Sequence, residues 1–227
     1  MAIKRKKQKP QGVKIIPPFL HEEINDNSDL KGLILREEII EYQHFPKGVT
    51  DTVNRSYLTI RNCIFSHHLF FDCLFKSAQI SDVRFENCDL SNVQLSGSAL
   101  NRVELVSCKL LGTNLSEATL NHVTMHDCNG QYINLSMSKI TQSRFSQCDF
   151  QHSNFNENRL SYVAFDSCRL VEADFSQTQL KGIDLRTSHI ERLILTAQDV
   201  RGAIVSSSQI IDLIPLLGVT VRDLDAG

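Results

Sequence analysis

The sequence predicts an all-β solenoid, in which short extended segments coil around one continuous apolar core. Every fifth residue from Ile60 to Val205 is large and apolar, and Gly130 is the one exception among these 30 positions. A second column lies two residues earlier in each repeat and holds compact side chains such as Cys63 and Ala78. Neither the helical period of 3.6 nor strand alternation produces a period of five, so the chain must turn after each short strand.

The cysteines indicate how many repeats make one coil. Five of them fall 20 residues apart and would stack in one column if four repeats complete a coil: Cys88, Cys108, Cys128, Cys148 and Cys168. All five prolines lie outside the repeat, as expected if each coil uses its backbone N–H groups in ladders with its neighbours. Coils spaced about 4.8 Å apart would form a rod roughly 36 Å long, filled with stacked Phe and Leu and without room for a cofactor.

The repeat units themselves suggest a family. Segments such as Thr113-Asn114-Leu115-Ser116-Glu117 and Ala173-Asp174-Phe175-Ser176-Gln177 resemble the A-[DN]-L-x-x units of pentapeptide-repeat proteins. The resemblance spans roughly residues 58–207 and implies a right-handed quadrilateral β-helix, which we assign to residues 58–205. Because the predicted core is filled, we expect the functional groups on the outside.

Two segments precede the predicted rod. Residues 1–13 are predicted to be a basic flexible tail, in which Lys4, Arg5, Lys6, Lys7 and Lys9 are a candidate contact for nucleic acid. Residues 14–57 keep a faint version of the repeat and are predicted to form an irregular β-rich cap, because an open solenoid end exposes its core and strand edges. Four apolar residues in outward positions of the first coils are the predicted docking site for this cap: Ile64, Leu69, Phe71 and Leu74.

Residues 206–227 are predicted to close the other end. Ser206 to Ser208 offer N-caps to a short helix over residues 209–214, Gly218 stops it, and Val219 to Val221 form a last strand. One cap needs fewer apolar residues than this segment carries. Four of them are therefore assigned to a homodimer interface: Ile210, Leu213, Leu216 and Leu217.

Composition and motifs argue against several functions. The chain of 227 residues has a net charge of −2, no long apolar stretch and no secretory signal pattern, which favours a cytoplasmic location. Seven cysteines without a CxxC pair oppose a disulfide framework or a zinc ribbon, and a linear cysteine stack cannot surround a metal. We find no catalytic triad or phosphate loop, so an enzyme and a bound cofactor or metal are not expected. Gly130 is the one irregularity of the repeat, and Tyr132 is the candidate to fill the gap it leaves.

The C-terminal segment gives the most specific functional expectation. Arg201-Gly202-Ala203-Ile204-Val205, then Gln209 and Leu217-Gly218-Val219-Thr220-Val221, resemble the ending of Qnr-type pentapeptide-repeat proteins. That resemblance implies dimerisation and protection of DNA gyrase and topoisomerase IV from quinolones by imitation of DNA. The outward columns argue the other way, because residues 58–205 carry 15 acidic and 13 basic side chains with alternating signs. A structural scaffold for another protein partner remains the alternative.

Overall fold

A computed structural model describes residues 12–37 and 39–219. The described chain is built from short strands and is closed near each end by a short helical segment. The elements in chain order are β1 (Asn25–Asp26), α1 (Leu30–Arg36), β2 (Ile39–Glu41), β3 (Gln43–Phe45), β4 (Gly48–Asn54), β5 (Thr59–Ser66), β6 (His68–Leu74), β7 (Gln79–Glu86), β8 (Ala99–Val106), β9 (Thr119–His126), β10 (Lys139–Ser146), β11 (Arg159–Asp166), α2 (Ile210–Leu213) and a 3₁₀-helix (Ile214–Leu217).

The strands stack in parallel with a register of 20 residues. Thr59 pairs with Gln79, and the same offset joins Gln79 to Ala99 and Ala99 to Thr119. Each eight-residue strand covers two sides of a coil, whereas the other two sides are joined by single bridges such as Asp89 with Lys109 and Gln94 with Asn114. The prediction of a four-sided β-solenoid with 20-residue coils is confirmed.

Corners between the sides are made by residues in the left-handed conformation. They recur every fifth position, as at Asn62, His67 and Asp72, with φ near +50°. For a residue other than glycine this conformation costs about 1 kcal/mol or more, and Asn and Asp tolerate it best. The strain persists because each corner keeps two neighbouring inward side chains in the core.

The core consists of two aromatic clusters separated by leucines. Near the start, the Phe65 ring stacks between Phe45 at 5.0 Å and Phe85 at 4.8 Å. The second cluster lies three coils further on and joins Phe145, Phe150, Phe155, Phe165 and Phe175 in tilted, stacked and edge-to-face contacts. The Phe150 ring fills the space left by Gly130, whose added Cβ would lie 2.6 Å from Cδ1 and Cε1 of that ring.

Cysteine, serine and threonine side chains in the compact inward column donate hydrogen bonds to backbone carbonyls. The Cys88 thiol donates to the carbonyl of Phe65 at 3.3 Å, and the Thr113 hydroxyl donates to that of Leu90 at 2.8 Å, each 23 residues earlier. All seven cysteines are free buried thiols. Burial raises the pKa of Cys63 to about 11, so this thiol keeps its proton and can donate. Sulfur and hydroxyl side chains therefore suit this column because they are both small and able to donate.

The N-terminal cap differs from the prediction of an irregular β-rich segment over residues 14–57. Coil geometry begins one full turn earlier than predicted, because Ile39 pairs with Thr59 and Gly48 pairs with His68. The open end of this first coil is covered by α1, whose Leu30 and Ile34 are buried in the core cluster. The cap is thus one regular coil and a helix. The helix was missed because its seven residues, with Gly32 among them, are too few to show helical periodicity.

His68 links this first coil to the next. Its ring is buried, and Nδ1 donates to the carbonyl of Pro46 at 3.3 Å while Nε2 accepts from the Thr50 hydroxyl at 2.9 Å. Burial lowers the pKa of His68, which favours this neutral tautomer. The histidine therefore acts as a structural bridge between coils.

At the C-terminal end, the α-helix is shorter than the predicted 209–214, but a 3₁₀-helix extends the helical segment beyond residue 214. Ile210–Leu213 forms one α-helical turn and Ile214–Leu217 continues as a 3₁₀-helix, which ends at Gly218 with φ +68°. Pro215 lacks the N–H that a longer α-helix would use. Val219 is not in a strand, and the rest of the predicted last strand, Thr220 and Val221, lies outside the described residues.

Gln209 is the central residue of this cap. Its Nε2 donates to the carbonyls of Leu185 and Ser188 at 2.8 and 2.7 Å, and its Oε1 accepts from the Ser206 N–H at 2.8 Å. The Ser206 hydroxyl accepts from the Gln209 N–H in return, at 3.3 Å, which is the reciprocal arrangement of a capping box. One buried amide thus satisfies two carbonyls at the end of the solenoid.

Candidate interaction surfaces

The interior of the rod is filled, which leaves the outer surface for function. An apolar gap of about 30 Å³ lies in the first half of the core between Ile60 and Met125, a volume comparable to one or two waters. Among residues 12–37 and 39–219, no cluster of three or more His, Cys, Asp or Glu could hold a metal ion. In the same part of the chain, no helix is long and apolar enough to span a membrane.

Asparagine and aspartate recur on the outer surface for a local reason. Oδ1 of Asn134 accepts the N–H of Ser136 at 3.0 Å, and the same bond to the residue two positions on is made by Asn114, Asn154 and Asp174. These bonds fix the turn at each corner. Along the rod axis, Nδ2 of Asn114 donates to Oε1 of Gln94 at 3.0 Å.

Charged side chains on the outer columns pair with one another between coils. Arg102 forms a two-pronged ion pair with Asp82, with both donor–acceptor distances at 2.6 Å. Arg144 pairs with Asp166, and Lys109 lies 3.8 Å from Asp89. An exposed pair such as Arg144 with Asp166 contributes roughly 0–1 kcal/mol. The effect of these ion pairs on recognition is larger, because they break up any continuous acidic stripe.

One corner carries an exposed row of aromatic and charged groups over four successive coils. The Tyr132 ring stacks on the His152 ring with centroids 5.0 Å apart. The Glu172 carboxylate lies 3.0 Å from Nδ1 of His152 and accepts from Nε of Arg192 at 2.6 Å. The Tyr132 side chain is 58% exposed. The prediction that Tyr132 fills the gap at Gly130 is therefore wrong, because the corner position directs its ring outward and Phe150 occupies the gap.

The segment before α1 runs along the outside of the rod. Its backbone donates from Lys14 to Oε1 of Gln142 at 2.8 Å and from Phe19 to Oδ1 of Asp82 at 2.9 Å, so five residues cross three coils. We call residues 12–20 the strap. Sequence reasoning missed this contact because its acceptors are ordinary polar side chains at separate corners.

The strap does not lie on the predicted docking site. Leu69 and Phe71 are 38% and 64% exposed, and Ile64 and Leu74 are half-buried. A later part of the N-terminal segment does reach these four residues, because His44, Val49, Asp51 and Asn54 pair in register with Ile64, Leu69, Phe71 and Leu74. The strap itself follows the line of polar corner residues, where its N–H groups find acceptors that an apolar patch cannot offer.

The C-terminal cap leaves part of its apolar surface exposed. Of the predicted dimer residues, Ile210 and Leu217 are 52% and 72% exposed, whereas Leu213 and Leu216 pack against the core. Together with Ala197, Val200 and Ile214, these residues line a cavity of about 190 Å³ that is open on one side. Ile211, which is 71% exposed, extends the same apolar end.

These features define a class of protein: a filled β-solenoid with all its accessible groups on the outer faces. Residues 69–106 match the model of pentapeptide repeats, and residues 98–175 match that of a pentapeptide repeat region. Residues 69–175 are therefore a pentapeptide-repeat region. A search of curated proteins returned no match.

Two solved structures whose chains follow a similar path are those of QnrB1 and HetL. Trypsin-treated QnrB1, a plasmid-mediated fluoroquinolone resistance protein, is 17% identical over 87% of this chain and 95% of that chain, with a TM-score of 0.48. HetL from the cyanobacterium Nostoc sp., involved in heterocyst differentiation regulation, is 15% identical over 78% of this chain and 95% of that chain, with a TM-score of 0.42.

Proposed function

We propose that this protein is a non-enzymatic scaffold that binds a protein partner along the outer surface of the rod. The observation that carries the proposal is the combination of a filled interior with outer faces on which opposite charges pair between coils, as Arg102 does with Asp82. Such a surface has little long-range field. It therefore suits recognition by shape and by short-range polar contacts rather than by electrostatic steering.

Protection of DNA gyrase and topoisomerase IV from quinolones is the second candidate. It is supported by the C-terminal residues around Gln209 that resemble the Qnr-type ending. Imitation of DNA requires anionic groups at regular spacing, whereas the column on one face runs through Asp89, Lys109, Asn129, Asp149 and Arg169. Topoisomerase binding would therefore have to use shape more than charge.

A supercoiling assay with gyrase and ciprofloxacin separates these two functions. We expect neither rescue from the drug nor inhibition of supercoiling over a wide range of protein concentration, because the paired charges give no DNA-like potential. A bovine serum albumin control corrects for non-specific protein effects. Rescue that rises with concentration of this protein would instead establish the topoisomerase function and overturn the scaffold proposal.

We further propose that the chain forms a homodimer through its C-terminal cap. The exposed side chains of Ile210, Ile211 and Leu217 would be buried against the same residues of a second copy. In sedimentation velocity at micromolar concentration, we expect a dimer for the wild type and a monomer for Ile211→Asp and Leu217→Asp. Tyr57→Asp, at a 78% exposed corner near the opposite end, should remain dimeric. A wild-type monomer at high concentration would contradict the proposal.

A further inference from the structure

The strap contacts the rod in an unusual way, because its main-chain N–H groups bond to side chains. Lys14, Ile16 and Phe19 donate to Gln142, His122 and Asp82, with distances of 2.8, 3.3 and 2.9 Å. The three acceptors occupy the same corner column, and Arg102 fills that corner position between two of them. We call these four corner residues the polar corner: Asp82, Arg102, His122 and Gln142.

The spacing of these bonds matches a polyproline II conformation. Three coils span about 14 Å, so five strap residues advance about 2.9 Å each, close to the 3.1 Å rise of that conformation. Its turn of three residues spans about 9.3 Å, which is nearly the height of two coils. Ile16 and Phe19 are three residues apart and their acceptors are two coils apart. Pro17 and Pro18, which lie between these donors, favour the required φ.

The polar corner is a built site rather than a chance contact. Asp82 is 8% exposed, and its carboxylate accepts from the Arg102 guanidinium and from the strap at the same time. Burial alone would raise the pKa of Asp82, but these hydrogen bonds outweigh it and hold the pKa below its ordinary value. The acceptor is thus ionised at neutral pH, which strengthens its bond to an N–H donor.

The bonds depend on the conformation of the strap and not on its side chains. The outward side chains of Ile16 and Phe19 are 47% and 70% exposed, and the core cluster of the described residues begins at Leu30. A different segment with the same backbone and N–H groups at the same spacing would form the same three bonds. Release of the strap from the polar corner would therefore not remove any side chain from the core.

We infer that the polar corner is a docking site for extended, proline-containing segments of protein partners, and that the strap is its occupant within the chain. A partner segment needs N–H donors three residues apart with a polyproline II stretch between them. It competes with the strap, so binding is coupled to strap release. This inference concerns a different surface from the C-terminal cap and does not depend on topoisomerase binding or dimerisation.

The test substitutes residues of the strap and leaves the four residues of the polar corner unchanged. In the full chain, Ile16→Pro with Phe19→Pro removes two donors while keeping a backbone compatible with polyproline II. The probe is a fluorescein-labelled peptide with the sequence of residues 12–21, and its binding is followed by fluorescence anisotropy. We expect this peptide to bind the doubly substituted chain at least about tenfold more tightly than the wild type, in which the tethered strap competes at high effective concentration.

Two controls make the result specific. A peptide with proline at the positions of Ile16 and Phe19, which keeps the conformation and loses the donors, should bind the freed chain at least about tenfold more weakly than the unsubstituted peptide. In the wild type, amide exchange at Ile16 and Phe19 should accelerate when the unsubstituted peptide is added. Equal binding of both peptides, or no binding of either to the freed chain while its thermal melt matches the wild type, would overturn the inference.

Discussion

Replacing Gly130 by leucine, the residue type that the repeat calls for at this position, is expected to destabilise the protein. A Cβ at residue 130 would lie 2.6 Å from two ring carbons of Phe150, which is fully buried. The Phe150 ring cannot swing away, because it contacts the rings of Phe145 and Phe155 edge to face, each 5.6 Å between centroids. Overpacking of this kind costs roughly 1–3 kcal/mol, and leucine adds atoms beyond Cβ, so the upper end of that range is expected.

A smaller side chain at position 150 should relieve the destabilisation caused by Gly130→Leu. Gly130→Leu combined with Phe150→Leu returns both positions to the common pattern, and the pair should recover at least half of the lost stability in urea unfolding. Met125→Leu serves as the control, because it replaces one buried side chain by another of nearly equal volume, one repeat before Gly130. It should cost less than about 1.5 kcal/mol. If Gly130→Leu alone equals or exceeds the wild type in stability, the ring does not occupy the gap.

Gly130 also shows what the five-residue period can and cannot predict. The period fixes which side chains point inward, because each coil must bury two of every five residues, and this was sufficient for the solenoid. The coil size came from the cysteines that recur every 20 residues. The period does not predict which neighbouring side chain fills the space where a repeat lacks its large inward residue. Tyr132 was chosen for its size, but its corner position points outward, whereas Phe150 lies directly above Gly130 in the same column.

The ends of the rod were harder to predict for a different physical reason. Burial of apolar surface was the only guide to the docking of the N-terminal segment, and it favoured the coil of Leu69 and Phe71, which residues 48–54 do pair with but the strap does not. The strap follows backbone hydrogen bonds to polar corners instead, and these acceptors cannot be distinguished from ordinary surface residues in the sequence. The spacing of Asp82 and His122 by 40 residues, beside two consecutive prolines in the strap, is the signal that could have indicated the contact.

The largest single-residue effect is expected at the other end, for Gln209→Glu. The change replaces the amide that donates to the carbonyls of Leu185 and Ser188 by a carboxylate, which cannot donate and which repels both oxygens. The Leu185 carbonyl keeps a bond from the Ser188 N–H at 3.0 Å, but the Ser188 carbonyl loses its donor. An orphaned buried carbonyl costs about 1–3 kcal/mol, so the loss should reach roughly 3–5 kcal/mol with the buried charge included. Gln209→Met, which loses the donors without adding a charge, should cost less. Gln179→Glu, at an exposed position, should be nearly neutral.

The pH dependence of Gln209→Glu distinguishes a lost donor from a general packing defect. Burial beside two carbonyls favours the neutral acid, so the pKa of the introduced carboxyl group in the folded variant should lie above its unfolded value of about 4.3. The protonated acid can donate to one carbonyl, and this stabilisation is fully present below the unfolded pKa and is lost as pH rises through the folded pKa. The stability gap between Gln209→Glu and Gln209→Met in urea unfolding should therefore narrow or reverse when the pH is lowered from neutral to about 4. A gap that stays constant over this range would mean that the carbonyls of Leu185 and Ser188 do not require the amide donor.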